Sequence, residues 1–224
     1  RARAATDAAL ATARDFAAAA AHEMRTPLTA MRTDIEVLTT LDLEADDRSE
    51  ILTDLARTQA RLEATLNDLE RLARGDLSTD RDFVDVDPVE ICDTAAADAM
   101  RRYPGLTVDV RGDAGRTLRG LPAGLRLVVD NAITNAVRHG GASLVRITVS
   151  RDDAATSLIV DDDGVGVPAD ERSAVFERFR RGSNSRRTGS GLGLALVAQQ
   201  ATLHGGDAHL DESPLGGARL VVRL

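Results

Sequence analysis

Leu28, Met31, Ile35 and Leu38 follow one another at intervals of three, four and three, the heptad spacing of a helix that packs along another helix. Ahead of them, residues 1–21 are dominated by Ala, the strongest helix former. Thr40 to Asp46 is a polar, acidic break, after which Ile51, Leu55, Leu62, Leu66, Leu69 and Leu72 form a second apolar stripe. Asp47 reads as the N-cap of this helix, with Glu50 three residues on, and Gly75 as its C′ stop. Two amphipathic helices of roughly 30 residues joined by a short loop make an antiparallel hairpin. One hairpin cannot bury both stripes. A four-helix bundle built from two chains, hence a homodimer, is the expectation.

After a linker at 76–82 the period changes from helical to alternating. Val84 and Val86 read as a strand, and Asp87, Pro88 and Glu90 then supply an N-cap, an N1 proline and an N3 acid for a helix to about Arg102. Leu106, Val108 and Val110 alternate as a second strand. A helix runs from near Pro122 to about His139, closed by Gly140 and Gly141. Leu144–Val149 and Thr156–Val160 read as a hairpin, 191–204 as a helix, and 207–212 and 217–223 as closing strands. Helices and strands sharing one core point to an α/β sandwich of about 140 residues.

All 28 basic residues are Arg, the net charge is −8 and aromatics are 2% of the chain. That balance argues against a nucleic-acid module, which needs a basic face and stacking rings. The single cysteine, Cys92, excludes an internal disulfide and a cysteine-based zinc site. No uncharged run approaches the ~20 residues of a membrane helix, and no signal peptide is present. The pattern is already under way at Arg1, as in a segment of a longer chain.

Four local patterns carry possible chemistry. Gly189-Ser190-Gly191-Leu192-Gly193-Leu194 opens the 191–204 helix, where small residues let backbone N–H groups approach a phosphate; alone, it is equally a flexible loop. It is neither a Rossmann fingerprint, because 194 and 196 are Leu, nor a P-loop, because the chain has no Lys. Asp161-Asp162-Asp163-Gly164-Val165-Gly166 follows a strand; Ile159 in the first ligand position excludes a calcium loop, leaving an acidic turn or a carboxylate that accepts from a base amino group. Asn131 and Asn135 share one helix face, either solvated or offering an amide oxygen to Mg²⁺, with Arg138 one turn on for phosphate. His22-Glu23-Met24-Arg25-Thr26-Pro27 puts a histidine on the flank of the first helix, beside a carboxylate and an interior proline that costs about 3 kcal/mol.

In order and spacing these segments resemble the HisKA-type bacterial sensor histidine kinases. HEMRTP (22–27) resembles the family's H-box, DNAITNAVRH (130–139) its N-box and DDDGVGVP (161–168) its first glycine box. FERFRR (176–181) resembles the F-box and GSGLGLA (189–195) the second glycine box. The Arg-only, Ala-rich usage agrees with an actinobacterial member.

The resemblance implies an α+β chain. Residues 1–75 would be the dimerisation and phosphoacceptor domain, a four-helix bundle in the dimer; 76–82 a linker; and 83–224 an α/β-sandwich ATP-binding domain of the GHKL (Bergerat) fold. It implies ATP and Mg²⁺ as cofactors. His22 would be the phosphoacceptor, Glu23 the partner of its other ring nitrogen, and Thr26 the residue that orients water for removing phosphate from a response regulator. Asn135 would ligate Mg²⁺, with Asn131 nearby and Arg138 on phosphate oxygens. Asp162 would accept from the adenine amino group, and Gly164 and Gly166 would permit the close turn there. Phe176, Arg178 and Arg181 would belong to a mobile lid that orders on ATP. Gly189, Gly191, Leu192 and Gly193 would place backbone donors at the phosphates. The implied partners are a second copy and the receiver domain of a response regulator. The implied location is the cytoplasmic part of a plasma-membrane protein whose sensor lies elsewhere. One departure from the hydrolytic GHKL relatives stands out. Where they carry a glutamate that activates water, this chain has Asn131, which cannot act as a base, so transfer to His22 is favoured over hydrolysis.

Overall fold

In the computed structural model the chain is described over residues 2–75, 79–152, 155–180 and 190–224. It divides into two compact units, Arg1–Asn67 and Asp68–Leu224.

Helix α1 (Ala2–Thr40) and helix α2 (Ala45–Gly75) are joined by four residues. α1 continues through Pro27, which leaves the Glu23 carbonyl without its i+4 donor. α2 starts two residues before the expected Asp47 cap, so Asp46 and Asp47 lie inside its first turn, where carboxylates favour the positive end of the helix dipole. Leu28, Ile35, Leu52 and Leu66 are exposed in the single chain.

The larger unit is a five-stranded sheet with three helices packed on it. Strand β1 (Val84–Val86) leads into α3 (Pro88–Arg102), capped by Asp87 Oδ1 accepting from the Val89 N–H at 2.9 Å. Then come β2 (Thr107–Arg111), β3 (Leu118–Gly120) and α4 (Pro122–Asn135), which widens into a π-helical turn over Ala136–Gly140. β4 (Leu144–Arg151) and β5 (Thr156–Asp162) form the expected hairpin; α5 (Gly193–Leu203), β6 (Ala208–Glu212) and β7 (Ala218–Arg223) complete the chain. The sheet order is β2-β4-β5-β7-β6, with only β2–β4 parallel, while β1 and β3 make a separate antiparallel pair.

The core lies between one sheet face and the helices. α3 contributes Cys92, Ala95 and Ala99, α4 contributes Val128, Val129, Ala132 and Ile133, and α5 contributes Val197 and Ala201. Val145, Ile147, Leu158, Val160, Leu220 and Val222 face them from alternate strand positions. Burial pushes the Cys92 thiol up to about 12, leaving it an inert core side chain.

The opposite sheet face carries a row of alternating charge across all five strands. Register places Asp109 of β2 opposite Arg146 of β4, Arg146 opposite Asp161 of β5, Asp161 opposite Arg219 of β7, and Arg219 opposite Asp211 of β6. Arg146 Nε donates to Asp109 at 3.1 Å, and Arg219 grips Asp161 through two bonds of 2.7 and 2.9 Å. A one-residue slip of any strand would turn its member of this row toward the apolar core, so the row fixes the sheet register. Among the described residues no helix is long and apolar enough to cross a membrane.

Candidate functional site

In α1, His22 and Thr26 lie four residues apart, both exposed, with Glu23 half-buried between them in sequence. The other predicted residues that are described gather at one end of the α/β unit, where α4, the N-terminus of α5 and the loop after β5 meet.

α4 brings Asn131 and Asn135 to one face. Asn131 Nδ2 donates to the Leu127 carbonyl at 3.0 Å, which fixes the amide. A methyl group on Gly193 would lie 2.7 Å from Asn131 Oδ1 and 4.0 Å from Asn135 Oδ1. Both amide oxygens therefore stand beside the first residue of α5, whose opening N–H groups have no intrahelical acceptors. A helix start of this kind suits an anion, and the amide oxygens beside it suit a hard cation carried by that anion. Arg138 is exposed on the π-helical turn that follows Asn135.

The three aspartates at the end of β5 do three different things, because strand alternation sends them different ways. Asp161 faces Arg219 across the outer sheet surface. Asp162 points to the helix side and is buried; its Oδ1 accepts from the N–H groups of Gly164 (2.9 Å) and Ala218 (3.1 Å). Burial raises the Asp162 carboxyl, against the bonds from Ala218 and Gly164, with the neighbouring Asp163 and Asp161 charges adding to the rise. Asp163 organises the loop before β4, its Oδ1 accepting from the Ser143 and Leu144 N–H groups and its Oδ2 from Ser143 Oγ. Partial burial opposes ionisation there, but these bonds win and hold Asp163 below the usual carboxylate range.

Gly164 is required by contact. A Cβ on it would come within 2.7 Å of the Gly140 oxygen and 2.8 Å of the Gly140 Cα, where the π-helical turn meets the loop and the Val165 N–H donates to Gly140 O at 3.1 Å. Gly166 lies in the left-handed region at φ 70°.

Phe176 ends a 3₁₀ turn (Ala174–Phe176) and packs against the core, so it anchors the base of the predicted lid. Arg178 is exposed. Phe179 sits at φ 64°, a costly conformation for an aromatic residue, and its N–H donates to the Gly191 carbonyl at 2.8 Å. Gly191, at φ 70°, has Phe179 backbone where a Cβ would be, so the chain at Phe179 and at Gly191 is held together. Leu192 is fully buried and precedes α5. Arg181 and Gly189, with the arginines at 186 and 187, fall outside the described residues.

Sequence reasoning missed the support behind this end of the unit. Ser190 Oγ donates to Asp68 Oδ2 at 2.7 Å, and Gln199 Nε2 donates to the Leu72 carbonyl at 2.8 Å. Each links positions more than a hundred residues apart, and no local pattern announces either.

Residues 12–78 match the family described as His Kinase A (phospho-acceptor) domain, and residues 120–224 match Histidine kinase-, DNA gyrase B-, and HSP90-like ATPase. The crystal structure of the ATP binding domain of PrrB from Mycobacterium tuberculosis is 54% identical, with 96% of that chain and 64% of this one aligned at a TM-score of 0.56. The chain belongs to the sensor histidine kinase family. It is 61% identical over 219 residues to the Sensor-type histidine kinase PrrB of Mycobacterium tuberculosis (strain ATCC 25618 / H37Rv), covering 98% of this chain and 49% of the relative. It is 35% identical to the Signal transduction histidine-protein kinase/phosphatase MprB of Mycobacterium sp. (strain KMS), covering 88% of this chain and 40% of the relative. The chain thus spans about half the length, or less, of these curated relatives. The expected order, a helical HisKA region followed by an α/β GHKL ATP-binding domain, is the order found.

Proposed function

We propose that this chain transfers the γ-phosphoryl group of ATP to His22 and then to an aspartate of a response-regulator receiver domain, working as a homodimer. The observation that carries the reading is the convergence of the Asn131 and Asn135 amide oxygens on the N-terminus of α5, with the Asp162 carboxyl at the end of β5. The residues fit a magnesium nucleotide. Among the described residues no group of three His, Cys, Asp or Glu could chelate a metal unaided. Asn135 would therefore share Mg²⁺ with phosphate oxygens, and the ion would supply positive charge against the triphosphate.

This chain's residues then divide the work. Asp162 Oδ2 accepts from the adenine amino group and orients the base. The N–H groups that open α5 at Gly193, with Gly191 and Leu192 in the segment leading into it, hold the phosphates, with Arg138, Arg178 and Arg181 adding charge. One ring nitrogen of His22 attacks the γ-phosphorus as the bond to the ADP oxygen breaks and ADP leaves with the electron pair; Glu23 takes the proton from the other ring nitrogen. Phosphoryl transfer asks the protein mainly for position and charge, which is what these groups offer. Asn131 is no base, and neighbouring Asp130 is engaged by Arg126 Nε at 2.9 and 3.0 Å, so nothing on this stretch of α4 is set to activate water. This supports transfer over hydrolysis.

Thr26 is assigned to phosphatase activity toward the regulator, a dual role that the name of MprB carries for that relative. The PrrB relative is named a sensor-type kinase and is about twice as long, which supports a cytoplasmic kinase core within a longer membrane sensor; within this core we assign 1–75 to dimerisation and phosphoacceptance, 76–82 to the linker and 83–224 to ATP binding.

Incubation with Mg²⁺ and γ-labelled ATP tests the proposal. Acid-labile, alkali-stable label is expected on the parent and on neither His22→Gln nor Asn135→Ala. Label on His22→Gln at the parental level, or phosphate release that does not depend on His22, would overturn it.

A further inference from the structure

The last turns of α2 carry a carboxylate that phosphoryl transfer does not use. Asp68 is half-buried, and its Oδ2 accepts from Ser190 Oγ at 2.7 Å. Ser190 Oγ in turn accepts from the Leu192 N–H at 3.2 Å, so its one proton is the one given to Asp68. Two turns into α5, Gln199 donates to the carbonyl of Leu72, which is 2% exposed. The chain entering α5 is thus held to the end of α2 at two points. Burial raises the Asp68 carboxyl, while the Ser190 bond and the Arg71 guanidinium pull it back.

Two consequences follow for a phosphate tail. The Leu192 N–H, assigned above to phosphate, is taken by Ser190. The two bonds in series also keep the Asp68 oxygen within about 6 Å of the Leu192 nitrogen. A phosphate oxygen sharing that N–H with Ser190 Oγ would lie within about 9 Å of the carboxylate, a range at which partly buried like charges repel appreciably.

We infer that Asp68 is a positioning residue that restrains polyphosphate binding by charge: held against Ser190, its carboxylate opposes a nucleotide's phosphate tail in proportion to the tail's charge and leaves adenine recognition untouched. The inference rests on reading 190–195 as the phosphate segment. It separates the charge at this contact from its shape, because Asn at position 68 keeps an oxygen that accepts from Ser190 and loses only the charge.

Binding of adenosine, Mg-ADP and Mg-ATP to the full chain, its Asp68→Asn variant and its Asp68→Ala variant is the test, read by titration calorimetry. Adenosine affinity is expected to stay unchanged, which also reports an intact fold. Mg-ADP should bind roughly two- to tenfold more tightly in both variants and Mg-ATP more tightly still, with the gains shrinking as salt is raised. Unchanged nucleotide affinities overturn the inference, as does a gain for adenosine equal to that for ATP. A gain in Asp68→Ala that is absent from Asp68→Asn also overturns it, because the lost bond and not the charge would then be acting. If the parent binds none of the three ligands, the nucleotide reading itself falls and takes this inference with it.

Discussion

Gly164→Ala tests a close backbone approach where the loop after β5 meets the π-helical turn. The added methyl would sit 2.7, 2.8 and 2.9 Å from the O, Cα and C atoms of Gly140. All three are backbone, so no side chain can swing aside, and the loop must retreat by roughly half an ångström or more to reach ordinary contact. Such overpacking costs about 1–3 kcal/mol, and stretching the Val165 N–H···O Gly140 bond adds about 1 kcal/mol. In a unit of this size, melting should fall by on the order of 10 °C. ADP affinity should fall as well, because the Gly164 N–H that holds Asp162 Oδ1 moves with the loop. The control is the same contact approached from its other side. A methyl on Gly140 would meet Gly164 Cα at 3.6 Å and Asp162 Oδ1 at 3.7 Å, both ordinary distances, so Gly140→Ala should melt within a few degrees of the parent. Scanning calorimetry on the three proteins decides the matter. Equal destabilisation by the two variants, or a parental melt for Gly164→Ala, would refute the reasoning.

Asp162→Asn should melt at or above the parental temperature, since a buried charge is removed and Oδ1 still accepts both N–H groups; ADP affinity measured by calorimetry should drop about 10- to 100-fold, because an amide NH₂ replaces the oxygen proposed to accept from adenine. Arg219→Ala takes the bidentate partner from Asp161, which is 3% exposed with Arg219 in place, and denaturant titration should show a loss of about 2–3 kcal/mol, less than for a fully buried pair because Arg219 is itself one-third exposed and its loss admits water. His204 donates from Nδ1 to the Gln200 carbonyl and accepts at Nε2 from the Leu121 N–H at 3.1 Å, so it is held neutral, and burial lowers its pKa against the opposing pull of Gln200. The unfolded chain therefore takes up this proton first. The contribution to stability is complete above about pH 6.5 and is lost as pH falls through the folded pKa; melting followed from pH 7.5 to 5 should decline in the parent and be flatter in His204→Gln.

The helices and most strands were legible because their periods are. The 3.6-residue stripes of α1 and α2, the Asp87–Pro88 start of α3 and the alternation in β4, β5 and β7 are local signals that tertiary packing did not override. β3 was missed because three residues, Leu118, Arg119 and Gly120, are too few to show alternation, and only pairing with β1 makes them a strand. The start of α2 was read two residues late because Asp47 looks like a cap, whereas the chain turns helical at Ala45 and uses the aspartates in the first turn. The asparagine face of α4 was visible from spacing, but its convergence on Gly193 depends on how α4 packs against α5, which spacing does not encode. The Asp68–Ser190 bond was invisible for the same reason.

The three consecutive aspartates show how much one number, the strand period of two, decides. Read as composition, Asp161, Asp162 and Asp163 are an acidic turn. In the sheet, Asp162 shares the inward parity of Leu158 and Val160, so the apolar alternation that builds the core also delivers a carboxylate to the helix side of the sheet. Asp161 has the opposite parity and falls between Arg146 and Arg219 in the charged row on the other face. These roles are coupled. A slip that exchanged the two aspartates would bury a charge against the core without its N–H donors and would break the row at its centre, where Asp161 is most deeply buried. The ion-pair row therefore serves the site it never touches. It sets the parity that puts Asp162, and not a neighbour, beside the π-helical turn that follows α4.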